Sequence, residues 1–348
     1  MLKKYQSLFS ICLVVMLFII VGAAGCTPQE PAVQEPGGNG DEQQPVQQTE
    51  EKVVLKAVSF LEQTTREGQW FMKVIDAIHE EMGDKIEIDY LGGPDVIPGY
   101  EQVEALDKNT VDFIQMSFAW LQDRYPEAEL AAVIADLSPA EQRSRGLNDF
   151  LNEGITASNT DAYFLGMCGL GYPITFYTTF EVSKIEDLKG KQARISPLHQ
   201  IAAESLGMET MTTSPTEMYS SVERKIVDGY FWPAYISDYG LEEVTTCRLY
   251  PAFGGSDASL LINKTVWNSM SKELQEELQK TIDKALDNYY NIDVAEEVAK
   301  EEALLEANGI KTVVLPDDYR EIQIDGYRQK AIQDLGARGE EFFDRFVK

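Results

Sequence analysis

A stretch near the C-terminal end limits the possible folds more than any other part of the sequence, because it contains neither glycine nor proline. It covers residues 271–308, and apolar or aromatic side chains recur along it at intervals of four. These positions are Leu274, Leu278, Ile282, Leu286, Tyr290, Val294 and Val298. Ser271 is suited to cap the start of a helix, and Asn308 followed by Gly309 is suited to end it.

A helix of roughly 36 residues rises about 54 Å, which exceeds the diameter of one α/β lobe. We therefore expect a single helix that lies across two lobes. Two helices joined by a bend without glycine or proline are the alternative.

The rest of the chain alternates strand and helix patterns in two series. The first series predicts strands at 53–60, 85–91, 111–116, 162–167 and 175–179, and helices at 68–82, 101–108 and 139–157. The second predicts strands at 192–195, 209–212 and 226–230, and helices at 198–206 and 215–224. Alternation of this kind predicts parallel sheets covered by helices.

The N-terminus has the features of an export signal. Lys3 and Lys4 precede an apolar run of about 14 residues, shorter than the roughly 20 that a spanning helix needs. The ending at Cys26 resembles a bacterial lipobox, in which the cysteine receives a diacylglycerol. We expect a signal peptide at 1–25, lipidation at Cys26, and a flexible tether at 26–52 rich in Pro, Gln, Glu and Gly. An uncleaved anchor and an ordinary signal peptide are the alternatives.

Charge and residue counts exclude several classes of function. Acids outnumber bases 58 to 30, which gives a formal net charge of −28 and repels nucleic acid phosphates. Four cysteines are too few and too scattered for a zinc ribbon or a disulfide scaffold, and Cys168 and Cys247 either pair or stay as buried free thiols. The chain has no P-loop, no His-x-x-x-His pair and no nucleophile elbow. We expect no cofactor, no metal and no enzymatic activity, with a secreted hydrolase as an alternative.

Four sequence blocks occur in an order that is informative. They are Asp187-Leu188-Lys189-Gly190 with Arg194; Leu206-Gly207 with Thr216-Glu217-Met218-Tyr219; Val227-Asp228-Gly229 with Pro233; and Ile262-Asn263-Lys264 with Trp267. In this order they resemble the substrate-binding subunits of tripartite ATP-independent periplasmic (TRAP) transporters, and the resemblance covers roughly residues 53 to 345.

The resemblance implies an α/β fold of the two-lobed periplasmic-binding-protein type with a long helix crossing both lobes. We expect lobe 1 to contain 53–170 and 258–298, and lobe 2 to contain 171–257 and 299–348. It also implies that Arg194 anchors a ligand carboxylate, for which a planar guanidinium is suited. The implied partners are a small organic acid and the TRAP permease subunits. The implied location is outside the cytoplasm, on the bacterial cytoplasmic membrane through the lipid at Cys26.

Aromatic residues stand where many relatives of this family have polar ones. Trp232 replaces an asparagine before Pro233, Trp120 follows the third strand where some relatives have arginine, and the segment around Tyr172 lacks a second arginine. We therefore expect a monocarboxylate with an apolar or aromatic body, held by Arg194 and these three rings. Packing of Trp232 and Trp120 within the lobes is the alternative for the rings. The alternatives for function are a C4-dicarboxylate receptor of the same transporter class and an ABC-type solute-binding lipoprotein.

Five further residues are candidates for the site. Phe118 and Tyr230 adjoin the two tryptophans, and Gln69 begins the first predicted helix, where N–H groups attract anions. Asp257 precedes the strand that returns toward the long helix. His199 follows Arg194 by five residues, although a surface position on a helix is the favoured interpretation for it.

Overall fold

Two β-sheets organise the part of the chain that the computed structural model describes, residues 52–122, 124–134, 137–168 and 171–347. The strands in these ranges are β1 Val53–Ser59, β2 Ile86–Gly92, β3 Phe113–Ser117, β4 Ala162–Cys168, β5 Pro173–Thr178, β6 Gln192–Ile195, β7 Glu209–Thr212, β8 Gly229–Pro233, β9 Cys247–Tyr250, β10 Gly254–Gly255, β11 Ala258–Asn263 and β12 Lys311–Val314.

The strand order shows how the chain divides between the sheets. The first sheet has the order β2-β1-β3-β11-β4, and the second has the order β12-β9-β5-β8-β6-β7, with β10 pairing with β5. The alternation of strands and helices is confirmed, and the mixed α/β fold with it. The boundaries proposed for the two lobes stay a prediction.

The expectation of parallel sheets is correct only in part. β1 runs parallel to β2 and β3, and β6 runs parallel to β7 and β8. β11, however, is antiparallel to both β3 and β4, and β5 is antiparallel to β8 and β9. Parallel neighbours need a crossover connection, usually a helix, and these two strands enter their sheets directly from the other sheet.

The helices cover the faces of the sheets and the ends of the strands. Those in the described ranges are α1 Arg66–Met82, α2 Gly99–Asp107, α3 Pro139–Ser144, α4 Leu147–Ala157, α5 Gln200–Ser205, α6 Met218–Glu223, α7 Lys264–Ser269, α8 Lys272–Asn288, α9 Val294–Ala307, α10 Asp318–Leu335 and α11 Ala337–Phe346. The single helix predicted at 139–157 is two helices, because Gly146 between α3 and α4 has a φ of 78°, in the left-handed region that ends a helix. The strand predicted at 226–230 begins three residues later, at Gly229.

The long helix is confirmed, with one local change. α8 and α9 are joined by a π-helical turn at Tyr289–Asp293, so the helical backbone is continuous from 272 to 307. Ser271 caps its start by accepting a hydrogen bond from the Leu274 N–H at 3.2 Å. α8 packs against α1 and β4 of the first sheet, whereas Glu301 of α9 accepts a hydrogen bond from the Ser237 N–H, just after β8 of the second sheet, at 2.9 Å.

Two further expectations concern the cysteines and the N-terminus. Cys168 and Cys247 are buried free thiols, so the alternative of a disulfide between them is wrong. The predicted signal peptide, Cys26 and the tether up to residue 51 lie outside the described residues. Within the described ranges, no helix has both the length and the apolar character that crossing a bilayer requires.

Candidate ligand-binding site

A cavity of about 290 Å³ lies between the ends of strands from the two sheets. From the side of the first sheet, it is lined by residues that follow β1, β2 and β3 and by those just before β11. From the side of the second sheet, it is lined by residues that follow β6, β7 and β8. Loops after the carboxyl ends of parallel strands are the usual ligand position in open α/β sheets. Its volume suits a small molecule.

Arg194 brings a buried positive charge to this cavity. It lies on β6 and is 1% exposed. Its Nε and Nη2 donate to Thr213, to Oγ1 at 3.3 Å and to the backbone oxygen at 2.6 Å. The third nitrogen, Nη1, has no hydrogen-bond partner among the described residues, and no described carboxylate forms an ion pair with Arg194. Two neutral oxygens therefore orient the guanidinium and leave its charge unpaired.

Burial lowers the pKa of Arg194 to about 10, so the side chain stays protonated at neutral pH. An unpaired buried charge is costly unless a counter-charge offsets it. A planar fork with a free edge is the usual receptor for a carboxylate. The arrangement is therefore that of an anion-binding group.

Aromatic side chains form one wall of the cavity and part of its rim. The Trp232 ring lies with its centroid 5.1 Å from the guanidinium carbon of Arg194 and meets Tyr239 edge to face at 5.2 Å. Trp120, which is 37% exposed, also lines the cavity, and Tyr100 lies at its rim. Trp232 is a buried residue of β8, so it belongs both to the second sheet and to the cavity wall.

Two buried carboxyl groups also line the cavity. Glu67, in the first turn of α1, is 4% exposed, and its Oε1 accepts a hydrogen bond from the Tyr235 hydroxyl. Burial raises the pKa of Glu67 to about 8. Asp257 accepts hydrogen bonds from the Phe118 N–H at 2.7 Å and from the Ser117 hydroxyl at 3.1 Å. Burial raises the pKa of Asp257 to about 6.

His199 is buried, which corrects the expectation of a surface histidine. It lines the cavity, its Nδ1 lies 3.2 Å from the Ser196 hydroxyl, and its ring packs against Phe231. Burial, followed by the charge of Arg194, lowers the pKa of His199 to about 3. The imidazole is therefore neutral at physiological pH and adds no second positive charge.

Arg194, Trp232, Trp120 and Asp257 are thus brought to one cavity, whereas the other four predicted site residues are not. Tyr172 stacks on Trp70 with ring centroids 5.1 Å apart, and its hydroxyl contacts Tyr289 and Glu297 on the long helix. Tyr172 therefore belongs to the core, because its ring and its hydroxyl are both satisfied there.

The remaining three lie outside the lining for similar reasons. Tyr230 lies on the same face of β8 as Trp232, but its ring stacks on Tyr177 with centroids 5.2 Å apart, away from the cavity. Phe118 packs among core rings, 5.5 Å from Phe164. Gln69 is exposed on α1, and its Nε2 donates to the backbone oxygen of Gln63 at 2.5 Å. Proximity in sequence to a lining residue therefore does not place a side chain in the cavity.

Sequence reasoning missed Glu67, Thr213 and Tyr239. Glu67 is one residue before the predicted start of the first helix, so its acidic side chain looked like an ordinary first-turn residue. Thr213 follows β7 and contacts Arg194 only because β6 and β7 pair in register, with Arg194 opposite Met211. No local signal in the sequence distinguishes Glu67 or Thr213 from a surface residue.

The fold and the cavity are those of a two-lobed solute-binding protein. The model of the family described as bacterial extracellular solute-binding protein, family 7, matches residues 58–325. The chain therefore belongs to this family.

Individual relatives are similar at low sequence identity. The curated monocarboxylate 2-oxoacid-binding periplasmic protein of Nostoc sp. is 22% identical over 211 residues, which is 58% of this chain and 57% of that protein. The chain thus matches a little more than half the length of this relative.

Two solved structures share the fold. One is a TRAP periplasmic solute binding protein from Desulfovibrio salexigens with bound orotic acid, at a TM-score of 0.73 and 16% identity, covering 85% of this chain and 97% of that one. The other is an extracytoplasmic solute receptor from Bordetella pertussis that binds pyroglutamic acid, at a TM-score of 0.72 and 14% identity, covering 84% and 99%. At these identities the likeness concerns the fold.

Proposed function

We propose that this protein is the extracytoplasmic solute receptor of a TRAP transporter and that its ligand is a small organic monocarboxylate with an apolar or aromatic body. In this proposal Arg194 holds the carboxylate, while Trp232 and Trp120 contact the body. The receptor then delivers the ligand to the membrane permease subunits. A lipid at Cys26 tethers the mature chain to the membrane, and the intact mass of the exported protein checks that modification.

The single observation that carries this proposal is the unpaired, buried guanidinium of Arg194 at the cavity. Its Nη1 has no partner among the described residues, and its other two nitrogens are held by Thr213. A charge-assisted hydrogen bond to such a group contributes roughly 1.5–3 kcal/mol. The ligands for which the relatives are named, a 2-oxoacid, orotic acid and pyroglutamic acid, are all carboxylic acids, which supports the same chemistry.

The composition of the lining favours one carboxylate over two. Among the described residues that line the cavity, Arg194 is the only lysine or arginine, and His199 is held neutral by burial. The lining also contains three acids, Glu62, Glu67 and Asp257, which cannot pair with a ligand carboxylate. A second ligand carboxylate would lose its hydration without gaining a cation, which costs several kcal/mol.

Closure of the two lobes around the ligand follows from the position of the cavity. The lining comes from both sheets, so a ligand that contacts both favours the closed state through its differential affinity. The receptor performs no bond chemistry in this proposal. Ligand released by denaturation should therefore be recovered unchanged.

Titration calorimetry with a carboxylate panel tests the proposal. We expect branched and aromatic monocarboxylates to bind, and Arg194→Ala to weaken binding on the order of 100-fold or more through loss of two charge-assisted hydrogen bonds. Arg224→Ala is the matched control, because Arg224 is exposed at the end of α6. Unchanged affinity in Arg194→Ala would refute the anchor, and tight binding of succinate or malate alone would favour a dicarboxylate receptor.

A further inference from the structure

One carboxyl group at the cavity has an oxygen that the protein does not use. Oε1 of Glu67 accepts a hydrogen bond from Tyr235, but Oε2 is buried and has no hydrogen-bond partner among the described residues. A buried polar atom without a partner costs about 1–3 kcal/mol. Such atoms in native proteins call for an explanation.

Asp257, the other buried acid of the cavity, differs from Glu67 in this respect. Both of its oxygens lie 3.1 Å from the Ser117 hydroxyl, and Oδ2 also accepts from the Phe118 N–H at 2.7 Å. Asp257 therefore serves to fix the turn that follows β3. Of the two acids, only Glu67 has a carboxyl oxygen without a hydrogen-bond partner among the described residues.

No charged group among the described residues donates a hydrogen bond to Oε2 of Glu67. Asp238 and Asp257 add negative charge nearby, and Arg66 adds positive charge. Nη2 of Arg66 pairs with other acids, at 3.1 Å from Asp238 and 3.6 Å from Glu301, and its buried Nη1 has no hydrogen-bond partner among the described residues. The environment of Glu67 thus keeps an excess of acidic groups that a donor from a ligand would complement.

Tyr239 connects this acidic end of the cavity with Arg194. Its hydroxyl is buried beside Glu67 but lies outside normal hydrogen-bond geometry to that carboxyl group. Burial, followed by the charges of Glu67 and Asp238, raises the pKa of Tyr239, and the charge of Arg194 opposes the shift. Glu67 and Arg194 both line this one cavity of about 290 Å³, so a small molecule can contact both of them.

We propose that Glu67 accepts a hydrogen bond from an N–H group of the ligand, so that the ligand is a nitrogen-bearing ring carboxylate, such as a cyclic amide or imino acid. This inference rests on the proposed function, because it requires that Arg194 hold the ligand carboxylate. A ring places the N–H beside the carboxylate and presents a flat or apolar face to Trp232.

Pairs of ring acids in which an oxygen replaces the ring nitrogen test the inference on the full-length protein. Pyroglutamate is compared with 5-oxotetrahydrofuran-2-carboxylate, a pair in which only the neutral amide N–H is replaced by oxygen. Proline is compared with tetrahydrofuran-2-carboxylate, a pair in which the replaced group is a charged ring ammonium. We expect the nitrogen member of at least one pair to bind about tenfold tighter or more, because a site built for a donor rejects the analogue that lacks it.

The outcomes separate this inference from the proposed function. Equal affinity within both pairs, or binding of purely oxygen-bearing acids with no binding of these four, overturns the inference and leaves the proposed function standing. No binding of any carboxylate, here or in the wider panel, contradicts the proposed function itself.

Glu67→Gln tests the assigned residue. The variant keeps an oxygen for Tyr235 and presents an amide N–H₂, a donor, where the ligand needs an acceptor. We expect the preference for the nitrogen member to disappear, with unfolding temperature measured to confirm a folded variant. Glu80→Gln, the same change at an exposed position of α1, is the matched control and should keep the preference. A preference retained in Glu67→Gln would refute the role of Glu67.

The pH dependence of ligand affinity is an independent test of the role of Glu67. To accept at Oε2, Glu67 must lose its proton, and burial raises its pKa to about 8. Affinity for the nitrogen member should therefore rise between pH 6 and pH 8, by at most tenfold per pH unit, and Glu67→Gln should remove that rise. Asp257 and Tyr239 also face the cavity, and the variant separates their titration from that of Glu67. A fall in affinity over this range would mean that Glu67 donates to the ligand, and would overturn the inference.

Discussion

At the scale of single residues, burial decides the chemistry of this site more than residue type does. Arg194, His199 and Glu67 are all nearly inaccessible, and each responds differently. The arginine stays charged, the histidine stays neutral, and the pKa of the glutamate is raised to about 8. The cavity therefore carries one firm positive charge at neutral pH and one carboxyl whose charge depends on its surroundings.

Glu67 should also make the stability of the protein depend on pH. Its pKa is about 8 in the folded state against 4.5 for an ordinary glutamate, so between these values the folded state holds a proton that the unfolded state has released. The free energy of unfolding of the parent should therefore fall as pH rises from about 5 to 8. In Glu67→Gln this contribution is absent, so the variant should gain stability relative to the parent as pH rises.

Denaturant unfolding at pH 5, 7 and 9 measures this difference. Glu80→Gln should track the parent at all three values, because Glu80 is exposed. If the gap between Glu67→Gln and the parent stays constant with pH, the raised pKa is wrong.

At the scale of elements, two structural features connect segments of the chain that are far apart in sequence. The π-helical turn at Tyr289–Asp293 keeps α8 and α9 continuous and places the Tyr289 hydroxyl 2.7 Å from that of Tyr172. The C-terminal helix α11 packs Phe342 and Phe346 against Phe150 of α4. The last helix is thereby attached to an element beside the first sheet.

Arg338 forms one of the polar contacts that fix α11. Its Nε donates to Glu127 at 2.6 Å, and its guanidinium carbon lies 3.8 Å from the centre of the Phe150 ring. Because Glu127 is buried, Arg338→Met should lower the free energy of unfolding by about 2–3 kcal/mol by leaving that carboxylate unpaired. Adding Glu127→Gln to Arg338→Met should recover part of the loss.

Denaturant unfolding of the single and double variants measures this coupling. Lys300→Met is the control, since its ion pair with Glu296 is about 70% exposed on both sides, and exposed pairs contribute little. A double variant less stable than Arg338→Met would contradict the account.

At the scale of the whole molecule, contacts between α1 and the second sheet should set the energy of closure. The backbone N–H of Arg66 donates to Asp238 at 3.0 Å, and its Nη2 donates to the same carboxylate at 3.1 Å. α1 follows β1 of the first sheet, whereas Asp238 follows β8 of the second. These bonds exist only when the two sheets are close together.

Arg66→Ala should therefore weaken ligand affinity without touching the cavity lining. If the variant lowers the closed fraction about tenfold, the apparent dissociation constant rises about tenfold. Calorimetry measures the affinity, and small-angle scattering measures the radius of gyration with ligand present, which should increase. Lys73→Ala removes the exposed contact of α1 with Asp293 and should change neither. Parent-like affinity in Arg66→Ala would refute this role for the contact.

Local patterns in the chain were sufficient for most of the elements, because helix and strand periodicity and caps such as Ser271 depend on neighbouring residues. The family blocks led to Arg194, whose burial at the cavity agrees with an anchoring role that itself stays a prediction. Local patterns do not predict the direction of a strand within its sheet. They identify β5 and β11 as strands, but the antiparallel pairing of both depends on how the chain crosses between the two sheets.

The membership of the site was decided by tertiary structure. Tyr172 and Tyr230 are aromatic, as the expected wall of the site would be, yet both pack in the core. Glu67 and Tyr239 line the cavity, although their segments show no distinguishing sequence pattern. A sequence pattern reports which face of its own element a side chain occupies. Which faces then meet across the two sheets, and which charges are buried together there, depends on contacts between residues as far apart as Arg66 and Asp238.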